Sequence, residues 1–338
     1  MTIKDLAAKT GYAVGTVSRA LNDHPNVSEK ARRIILKAAN ESGFQLNVNA
    51  KQLKQQHSTT ILVVVKGIGN ELFAEMVENI QSLISKTRYQ LAVDYMDEDL
   101  NEVTRAIQLC REKKPLGILF LGGNYEFFVR NFDRIDVPSV LVTNDASELG
   151  FSNLSSVSTD GKAAAKCAVE TLIHLGHQRI AVIGGDRSLS DTSRLRYEGC
   201  LEAFRENNVP FDPEKDYRMV HFSFQDGYQA TKELLENNWD YTAVFAVADV
   251  MAIGAVRALW ESGKRVPDDV SVMGFDGLPM STYLVPQLTT VRQPVQLMAQ
   301  RSVEILLNAI EQGADPVYET VPFEIYRRES VREVLEDK

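Results

Sequence analysis

Residues 11–22 read Gly11-Tyr12-Ala13-Val14-Gly15-Thr16-Val17-Ser18-Arg19-Ala20-Leu21-Asn22, a glycine turn followed by a short amphipathic stretch. Val17, Ala20 and Leu21 share one face at helical spacing, so the stretch predicts a helix over Ala13–Asn22 that buries this face. A first helix is predicted over residues 2–10, capped by Thr2 and ended by Gly11. Two helices joined by a tight glycine turn form the helix-turn-helix arrangement, whose second helix enters the major groove of DNA.

A third helix completes this small all-α head, predicted over residues 1–45. It is expected to begin at Ser28, to stop at Gly43 and to bury Ala31, Ile34, Ile35 and Ala38. The alternative interpretation of the head is a three-helix unit that binds another protein.

Charge separates this head from the rest of the chain. Residues 1–57 contain nine Lys or Arg and four Asp or Glu, a balance of +5; because the chain of 338 residues carries −9, the remainder carries −14. A basic head on an acidic body indicates a polyanionic partner for the head alone.

Composition excludes several classes of protein. Hydrophobic residues make up 44% and charged residues 25%, as in ordinary globular proteins, and the length predicts about two large domains with a small extra one. No apolar run approaches the roughly 18 residues of a membrane helix, and the segment Met1–Asp5 lacks the apolar core of a signal peptide, so we expect a cytoplasmic protein. The three cysteines form no CxxC motif, which disfavours disulfides and thiolate metal sites.

From residue 60 onward, strand-like and helix-like segments alternate. This pattern predicts α/β architecture, two lobes that each contain a doubly wound parallel sheet covered on both faces. The predicted strands are Ile61–Val65, Tyr89–Tyr95, Gly117–Leu121 and Val137–Thr143 in the first series, and Arg179–Gly184, Tyr217–Phe222, Ala243–Val247 and Val270–Phe275 in the second.

Motifs of enzymes and metal sites are missing from the sequence. It contains no GxSxG or HExxH, and Gly67-Ile68-Gly69 lacks the third glycine of a dinucleotide loop. His174 and His177 have no evident third ligand, and the acidic run Asp97–Asp99 is interpreted as a solvated helix start. We therefore expect no catalytic residues, no metal and no cofactor.

The stretch of residues 11–22, with Val27-Ser28 and Gly43-Phe44, resembles the head of the lactose-repressor (LacI/GalR) family; Thr16-Val17-Ser18-Arg19 with Leu21-Asn22 is its most specific part. The resemblance implies that Val14, Gly15 and Arg19 face base edges, and that Thr16, Ser18 and Asn22 position the DNA backbone. An arginine fork fits guanine and contributes roughly 1–3 kcal/mol of discrimination. The sequence departs from the family at Ala13, which replaces the usual capping residue, and at the small apolar pair Val14-Gly15.

Residues 46–58 are polar and are interpreted either as a flexible linker or as the family's hinge helix. The run Asn47-Val48-Asn49-Ala50-Lys51-Gln52-Leu53 matches that hinge, although Leu46 replaces the family's proline. In the hinge, Leu53 would wedge into a minor-groove base step, Ala50 would allow close approach, and Asn47 and Lys51 would contact the DNA.

The resemblance continues through the body, residues 59–338, and implies the two-lobed sugar-binding fold of periplasmic receptors. Two sequence motifs are typical of the cores of such repressors: Gly176-His177-Gln178-Arg179-Ile180 and Pro267–Val272. The chain then crosses between lobes near Ser158–Asp160, Leu288–Val291 and Val321–Phe323. The first lobe is expected over about 59–158 and 292–321, and the second over about 160–289 and 323–338.

A ligand is expected beyond the carboxyl ends of the strands, between the lobes. One cation, one anion and aromatic walls suit a neutral polyhydroxylated ring, more in keeping with a sugar or sugar derivative than a purine. By the resemblance, Arg196 and Asp276 bind effector and Phe73 and Phe222 stack on it, while Ala248 replaces the usual asparagine before Asp249. The alternatives are core packing for the two phenylalanines and a salt bridge that joins the lobes for Arg196 and Asp276. The predicted effector-binding residues are Phe73, Thr143, Asn144, Ser190, Thr192, Arg196, Phe222, Asp249 and Asp276.

These observations predict a dimeric, DNA-binding transcriptional regulator, a repressor by type, that binds pseudo-palindromic operator DNA and is controlled allosterically by a small molecule. The charged segment after Arg327 lacks leucine heptads, which disfavours a tetramer built through a coiled coil. The alternative from another class is a solute-binding receptor of a transport system.

Overall fold

A computed structural model describes residues 3–21, 27–42, 59–236 and 239–334. The chain divides into two compact units, Met1–His57 and Ser58–Lys338. None of the helices in the described ranges combines the length and the apolar character that a membrane span requires.

The described residues of the first unit form three short helices around a small core. They are α1 (Ile3–Thr10), α2 (Val14–Leu21) and α3 (Glu29–Glu41). Gly11 has a positive φ of 71° and donates its N–H to the carbonyl of Ala7, which ends α1 as expected. The core is formed by Leu6, Ala7, Val17, Ala20, Ile35 and Ala39.

The third helix begins where the sequence predicts but presents a slightly different face. The Ser28 hydroxyl caps it by accepting the N–H of Ala31 at 3.3 Å. The prediction that Ile34 is buried is wrong, because its side chain is 40% exposed and Ala39, one turn beyond Ile35, is buried instead. In a head this small, the core covers only a narrow stripe of each helix. Thr2 and Gly43, the predicted cap and stop, lie outside the described residues.

The second unit has two lobes, each built on a six-stranded sheet. In the first lobe all strands are parallel, in the order β11-β5-β4-β3-β1-β2. These strands are β1 (Thr60–Lys66), β2 (Gln90–Met96), β3 (Gly117–Leu121), β4 (Ser139–Val142), β5 (Leu154–Thr159) and β11 (Tyr318–Val321). The helices of this lobe are α4 (Glu71–Ile84), α5 (Glu102–Lys113), α6 (Tyr125–Asn131) and α12 (Val295–Gln312).

The second lobe repeats the plan in the order β12-β10-β9-β8-β6-β7, with only β12 antiparallel to its neighbour. The strands are β6 (Ile180–Gly184), β7 (Tyr217–Met219), β8 (Ala243–Ala246), β9 (Ser271–Asp276), β10 (Thr289–Arg292) and β12 (Glu324–Tyr326). The helices are α7 (Gly161–His174), α8 (Asp191–Glu206), α9 (Pro213–Asp216), α10 (Phe224–Glu236) and α11 (Asp249–Glu261). The predicted fold class is therefore confirmed, and every predicted strand is present.

The chain passes between the lobes at three places. It leaves the first sheet after Thr159, leaves the second sheet after Arg292, and leaves the first again after Val321. The predicted second crossing at Leu288–Val291 is too early, since residues 289–292 form strand β10 of the second sheet. Two crossing segments are joined by a hydrogen bond of 2.9 Å between Thr159 Oγ1 and Gln293 Oε1.

Candidate functional site

A cleft lies between the two lobes, at the carboxyl ends of their strands. It has a volume of about 720 Å³, including the part open to solvent. Its lining consists of Lys66, Asn70, Leu72, Phe73, Glu98, Asp99, Gly122, Gly123, Thr143, Asp186, Leu189, Ser190, Thr192, Arg196, Val220, His221, Phe222 and Asp276.

The structure brings seven of the nine predicted effector-binding residues to this cleft. They are Phe73, Thr143, Ser190, Thr192, Arg196, Phe222 and Asp276. The parallel topology explains the agreement, because the carboxyl ends of parallel strands meet at one edge of each sheet. The other two predicted residues, Asn144 and Asp249, do not line it.

Arg196 supplies a buried cation on the second-lobe wall. Its side chain is 4% exposed, its Nη1 donates to the carbonyl of Val247 at 2.6 Å, and its guanidinium lies 3.8 Å from the centroid of the Phe275 ring. Its Nε has no hydrogen-bond partner among the described residues. Burial lowers the pKa of the guanidinium, opposed by the nearby charge of Asp276. An unsatisfied buried donor is costly, so this position is one at which a further acceptor would be favourable.

Asp276 places a carboxylate beside this cation. Arg196 Nη2 lies 3.7 Å from Asp276 Oδ1, an ion pair too long for a hydrogen bond. Gln293 Nε2 and the backbone N–H of Asp249 both donate to the carboxylate. Burial raises the pKa of Asp276 to about 6, whereas Arg196 and these donors oppose the rise. The alternative of a salt bridge joining the lobes does not describe this pair, because both residues belong to the second lobe.

Backbone strain marks two equivalent positions of the cleft. Thr143 follows β4 of the first lobe with φ of 81°, and Asp276 ends β9 of the second lobe with φ of 116°. Residues other than glycine rarely adopt such angles, and strain of this kind concentrates at functional sites. Each lobe thus presents one strained residue to the space between them.

Asp249 lies behind the cleft and not in it. It is fully buried at the start of α11, where its Oδ2 accepts the N–H of Leu278 at 2.7 Å and its Oδ1 accepts the hydroxyl of Thr290 at 2.6 Å. Burial, with Asp276 adding repulsion, raises its pKa to about 8. The sequence predicts Asp249 beyond the carboxyl end of a strand, and the residue begins α11 just after β8, but its carboxyl turns inward and accepts the N–H of Leu278 in the loop after β9.

Asn144 is likewise buried and links the lobes. Its Oδ1 accepts the hydroxyl of Thr143 at 3.2 Å and that of Thr192, from the second lobe, at 3.4 Å. It therefore orients two lining hydroxyls and has no surface of its own in the cleft.

Phe73 and Phe222 take part in the packing of the protein and also line the cleft, so the two alternatives that the sequence left open do not exclude each other. Phe73 is buried in the core at the first turn of α4, yet its ring also lines the cleft beside Gly122, where an added Cβ would approach it to 3.1 Å. Phe222 is half-buried, and its ring lies against Gly185. Core packing and a face open to a ligand are compatible for these two side chains.

The sequence interpretation missed four charged residues of the cleft wall, namely Lys66, Glu98, Asp99 and Asp186. Lys66 ends β1 and pairs with Glu102, and Glu98 and Asp99 follow β2. The run Asp97–Asp99 is thus not simply a solvated helix start: the carboxylate of Glu98 accepts the N–H of Phe222, and burial raises its pKa. The sequence did contain a signal for these residues, because they lie at or just beyond the ends of strands. Sequence alone, however, does not show which way a side chain turns at such a position.

Direct contacts hold the lobes together around the cleft. Asn124 Nδ2 donates to the carbonyl of Ser188 at 3.1 Å, and the Tyr125 N–H donates to Asp191 Oδ2 at 2.6 Å. On the other side, Glu98 accepts from Phe222. Each bond joins the first lobe to the second, so the structure represents a closed arrangement of the lobes.

His177, one of the two histidines noted in the sequence, has a structural explanation. His177 is buried, with Nδ1 2.9 Å from the Thr242 hydroxyl and Nε2 3.1 Å from the carbonyl of Arg332. Burial lowers its pKa. Within residues 3–21, 27–42, 59–236 and 239–334, no group of three potential metal ligands is found.

Helix α2 of the first unit presents the predicted base-contacting residues to solvent. Val14 is 43% exposed, and Gly15 and Arg19 are exposed, whereas Val17 and Ala20 face the core. Thr16 and Ser18 are half-buried and lie between the exposed side of the helix and the side that faces the core. The carbonyl of Ala13 accepts the N–H groups of Thr16 and Val17, which starts the helix. The other predicted DNA-binding residues lie outside the described ranges: Asn22, Asn47, Ala50, Lys51 and Leu53.

Both units match models of known families. Residues 2–47 match the model described as bacterial regulatory proteins, lacI family, and residues 138–331 match that of a periplasmic binding protein-like domain. These matches cover the helix-turn-helix head and most of the two-lobed body.

Individual proteins resemble the chain over 82–98% of its length. It is 35% identical over 335 residues to the HTH-type transcriptional regulator MalR of Clostridium butyricum, covering 98% of this chain and 99% of the relative. A structure of the lac repressor dimer bound to operator and an anti-inducer is 26% identical, with a TM-score of 0.72, over 98% of this chain and 99% of that one. A LacI family regulator from Enterococcus faecium with bound ribose is 26% identical, with a TM-score of 0.70, over 82% of this chain and 100% of that one.

Proposed function

Because the chain belongs to the LacI family of bacterial transcriptional regulators, we propose that it is a repressor whose affinity for operator DNA is set by a sugar bound between its two lobes. The observation that carries the proposal is the pairing of two features. Helix α2 exposes Val14, Gly15 and Arg19 in the manner of a recognition helix, and the cleft holds Arg196 with an unsatisfied buried donor beside Asp276.

The chemistry of the cleft favours a polyhydroxylated ligand. A carboxylate accepts and a guanidinium donates, so neighbouring hydroxyls of one sugar satisfy Asp276 and Arg196 together. Phe73 and Phe222 offer apolar faces to the carbon side of a ring. The ribose carried by the Enterococcus faecium relative is an example of this ligand class.

Ligand and DNA are coupled through the closure of the lobes. The closing contacts, such as Tyr125 to Asp191, form only when the lobes meet, and a ligand that contacts both lobes favours that arrangement. In a dimer, closure changes the distance between two heads and hence the fit to two half-sites. Coupling between such sites is typically about 1–3 kcal/mol.

A second copy of the chain is the partner that fits its exposed apolar surface. Val285 is 94% exposed and Tyr283 is 86% exposed. Trp260 and Phe224 lie on the same lobe and line one groove together with Val285. Exposed apolar patches mark interaction surfaces, and the related lac repressor is a dimer in its solved structure. The proposed dimer matches the two-fold symmetry of a pseudo-palindromic operator, which it binds in the cytoplasm.

Selection of DNA from a random library with the full chain tests the DNA-binding half of the proposal. We expect enrichment of an inverted repeat, and sedimentation of the complex should give two chains per site. Gel shifts on the enriched DNA with sugars added then test the effector half. A library from which no sequence is enriched would refute the assignment.

A further inference from the structure

Lys66 is a buried ammonium in the first-lobe wall of the cleft. Its side chain ends β1, is 8% exposed and lines the cleft. Its Nζ lies 2.7 Å from Glu102 Oε2 and 4.9 Å from the centroid of the Phe127 ring. An ammonium carries three N–H donors, and Glu102 is its one hydrogen-bond acceptor among the described residues. Lys66 therefore keeps donor capacity for a group inside the cleft.

Glu102 holds this lysine in place and balances its charge. It is fully buried at the start of α5, and its Oε1 accepts the N–H of Asn124 at 2.6 Å while its Oε2 contacts Lys66. Burial raises the pKa of Glu102, and the ammonium and the Asn124 N–H oppose that rise. A lysine balanced in this way offers a hydrogen bond without an uncompensated positive charge.

The remaining charges of the cleft are mainly negative. Glu98, Asp99, Asp186 and Asp276 line it, Arg196 adds a second cation, and the His221 imidazole lies 3.7 Å from both Glu98 and Asp99. A ligand that carries a carboxylate or phosphate would be buried among these groups, and like charges in a closed site are strongly unfavourable. A hydroxyl, by contrast, accepts from Lys66 and donates to a carboxylate.

We propose that Lys66, positioned by Glu102, determines the specificity of the cleft: it donates to a hydroxyl of a neutral polyhydroxylated ligand, and Glu102 prevents it from attracting the corresponding uronate or sugar phosphate. This inference rests on the proposed function, in that it takes the cleft as the effector site. It goes further by assigning the electric charge of the effector and the residue pair that selects it.

Titration calorimetry on the full chain with charge-matched probes tests the proposal. The neutral probes are glucose, galactose and ribose, and their charged counterparts are glucuronate, galacturonate and ribose 5-phosphate. We expect a neutral probe to bind about tenfold or more tightly than its counterpart. In E102Q, which leaves the lysine uncompensated, this preference should fall about tenfold, and K66Q should bind the neutral probe about tenfold more weakly.

The matched control is E202Q. Glu202 pairs with Lys162 and Lys166 on the second-lobe helices α7 and α8, and none of the three lines the cleft. We expect its affinities and its preference to equal those of the wild type. If E102Q does not fold, as judged by circular dichroism, K66Q carries the test, since it should lose neutral affinity while still rejecting anions.

Three results would overturn the inference. They are a charged probe binding the wild type as tightly as its neutral counterpart, a folded E102Q with unchanged preference, and a wild type that binds no neutral probe. Gel shifts on the selected operator, run with the same preparations, separate these failures from failure of the proposed function. If the protein still binds the operator after one of these three results, the repressor assignment is retained and only the proposed class of ligand is rejected.

Discussion

Replacing Asp249 with asparagine should change how the stability of the second lobe depends on pH. Asp249 has a folded-state pKa of about 8, so its carboxyl is largely neutral below that value. The unfolded carboxyl ionises near pH 4, so between these values the folded chain binds about one proton more and its stability falls by about 1.4 kcal/mol per pH unit. Asparagine removes this titration. Between pH 6 and about 7.5, the wild type should lose about 2 kcal/mol more unfolding free energy than Asp249→Asn.

The hydrogen bonds around Asp249 allow this substitution without leaving a polar group unsatisfied. The oxygen of the new asparagine can accept the Leu278 N–H, and the asparagine NH2 group can donate to the Thr290 hydroxyl oxygen. The Thr290 hydroxyl can in turn donate to the carbonyl of Val291, from which it already lies 3.3 Å. The neutral amide thus imitates the protonated acid.

Urea unfolding followed by tryptophan fluorescence measures the effect directly. Both tryptophans of the chain, Trp239 and Trp260, belong to the second lobe and report its unfolding. The control is Asp269→Asn: Asp269 is paired with Arg265 at the surface and has a lowered pKa, so it is ionised in both states across this window. Its pH profile should run parallel to that of the wild type. A profile of Asp249→Asn that also runs parallel would refute the buried neutral carboxyl.

Three other substitutions test the head, the cleft and the closure. Arg19→Ala should weaken binding to the selected operator more than binding to random DNA, since base contacts carry sequence information, whereas Arg33→Ala on α3 should change both affinities by the same factor in competition gel shifts. Asp276→Asn should lower the affinity for the sugar that the wild type binds about 10- to 100-fold by removing a charged acceptor, as measured by calorimetry, and should leave operator affinity without sugar unchanged. Asp191→Ala removes the acceptor of the Tyr125 N–H across the cleft, so the closed state should lose about 1.5–3 kcal/mol and the radius of gyration measured by X-ray scattering should rise.

Each of these has a clear contrary outcome. Equal losses on both DNAs would remove Arg19 from base recognition. Unaltered sugar affinity in Asp276→Asn would exclude that carboxylate from the site, and unchanged scattering from Asp191→Ala would show that other contacts hold the lobes closed.

Sequence periodicity and topology account for most of the fold and for the location of the cleft. Apolar runs such as Ile61–Val65 mark strands, and the carboxyl ends of parallel strands must converge, so Arg196 and Asp276 could be assigned to one site. The short strands β5, β10, β11 and β12 lack such runs, and periodicity does not predict them.

The direction of side chains is what the sequence does not reveal. Asp249 follows β8 and Asp276 ends β9 of the same sheet, yet the carboxyl of Asp249 turns inward to Leu278 and Asp276 lines the cleft. Lys66 and Glu102 stand 36 positions apart, and only the folded sheet brings them into contact. Their pairing depends on tertiary packing, which no local pattern encodes.

The threefold passage of the chain between the lobes imposes an order on biosynthesis. Strand β11 completes the first sheet and β12 completes the second, and both follow every other described strand along the chain. The head, by contrast, precedes both sheets, and its described core residues all lie between Leu6 and Ala39. A stop codon anywhere between the head and Tyr318 therefore leaves helices α1 to α3 complete and removes the last strand of each sheet.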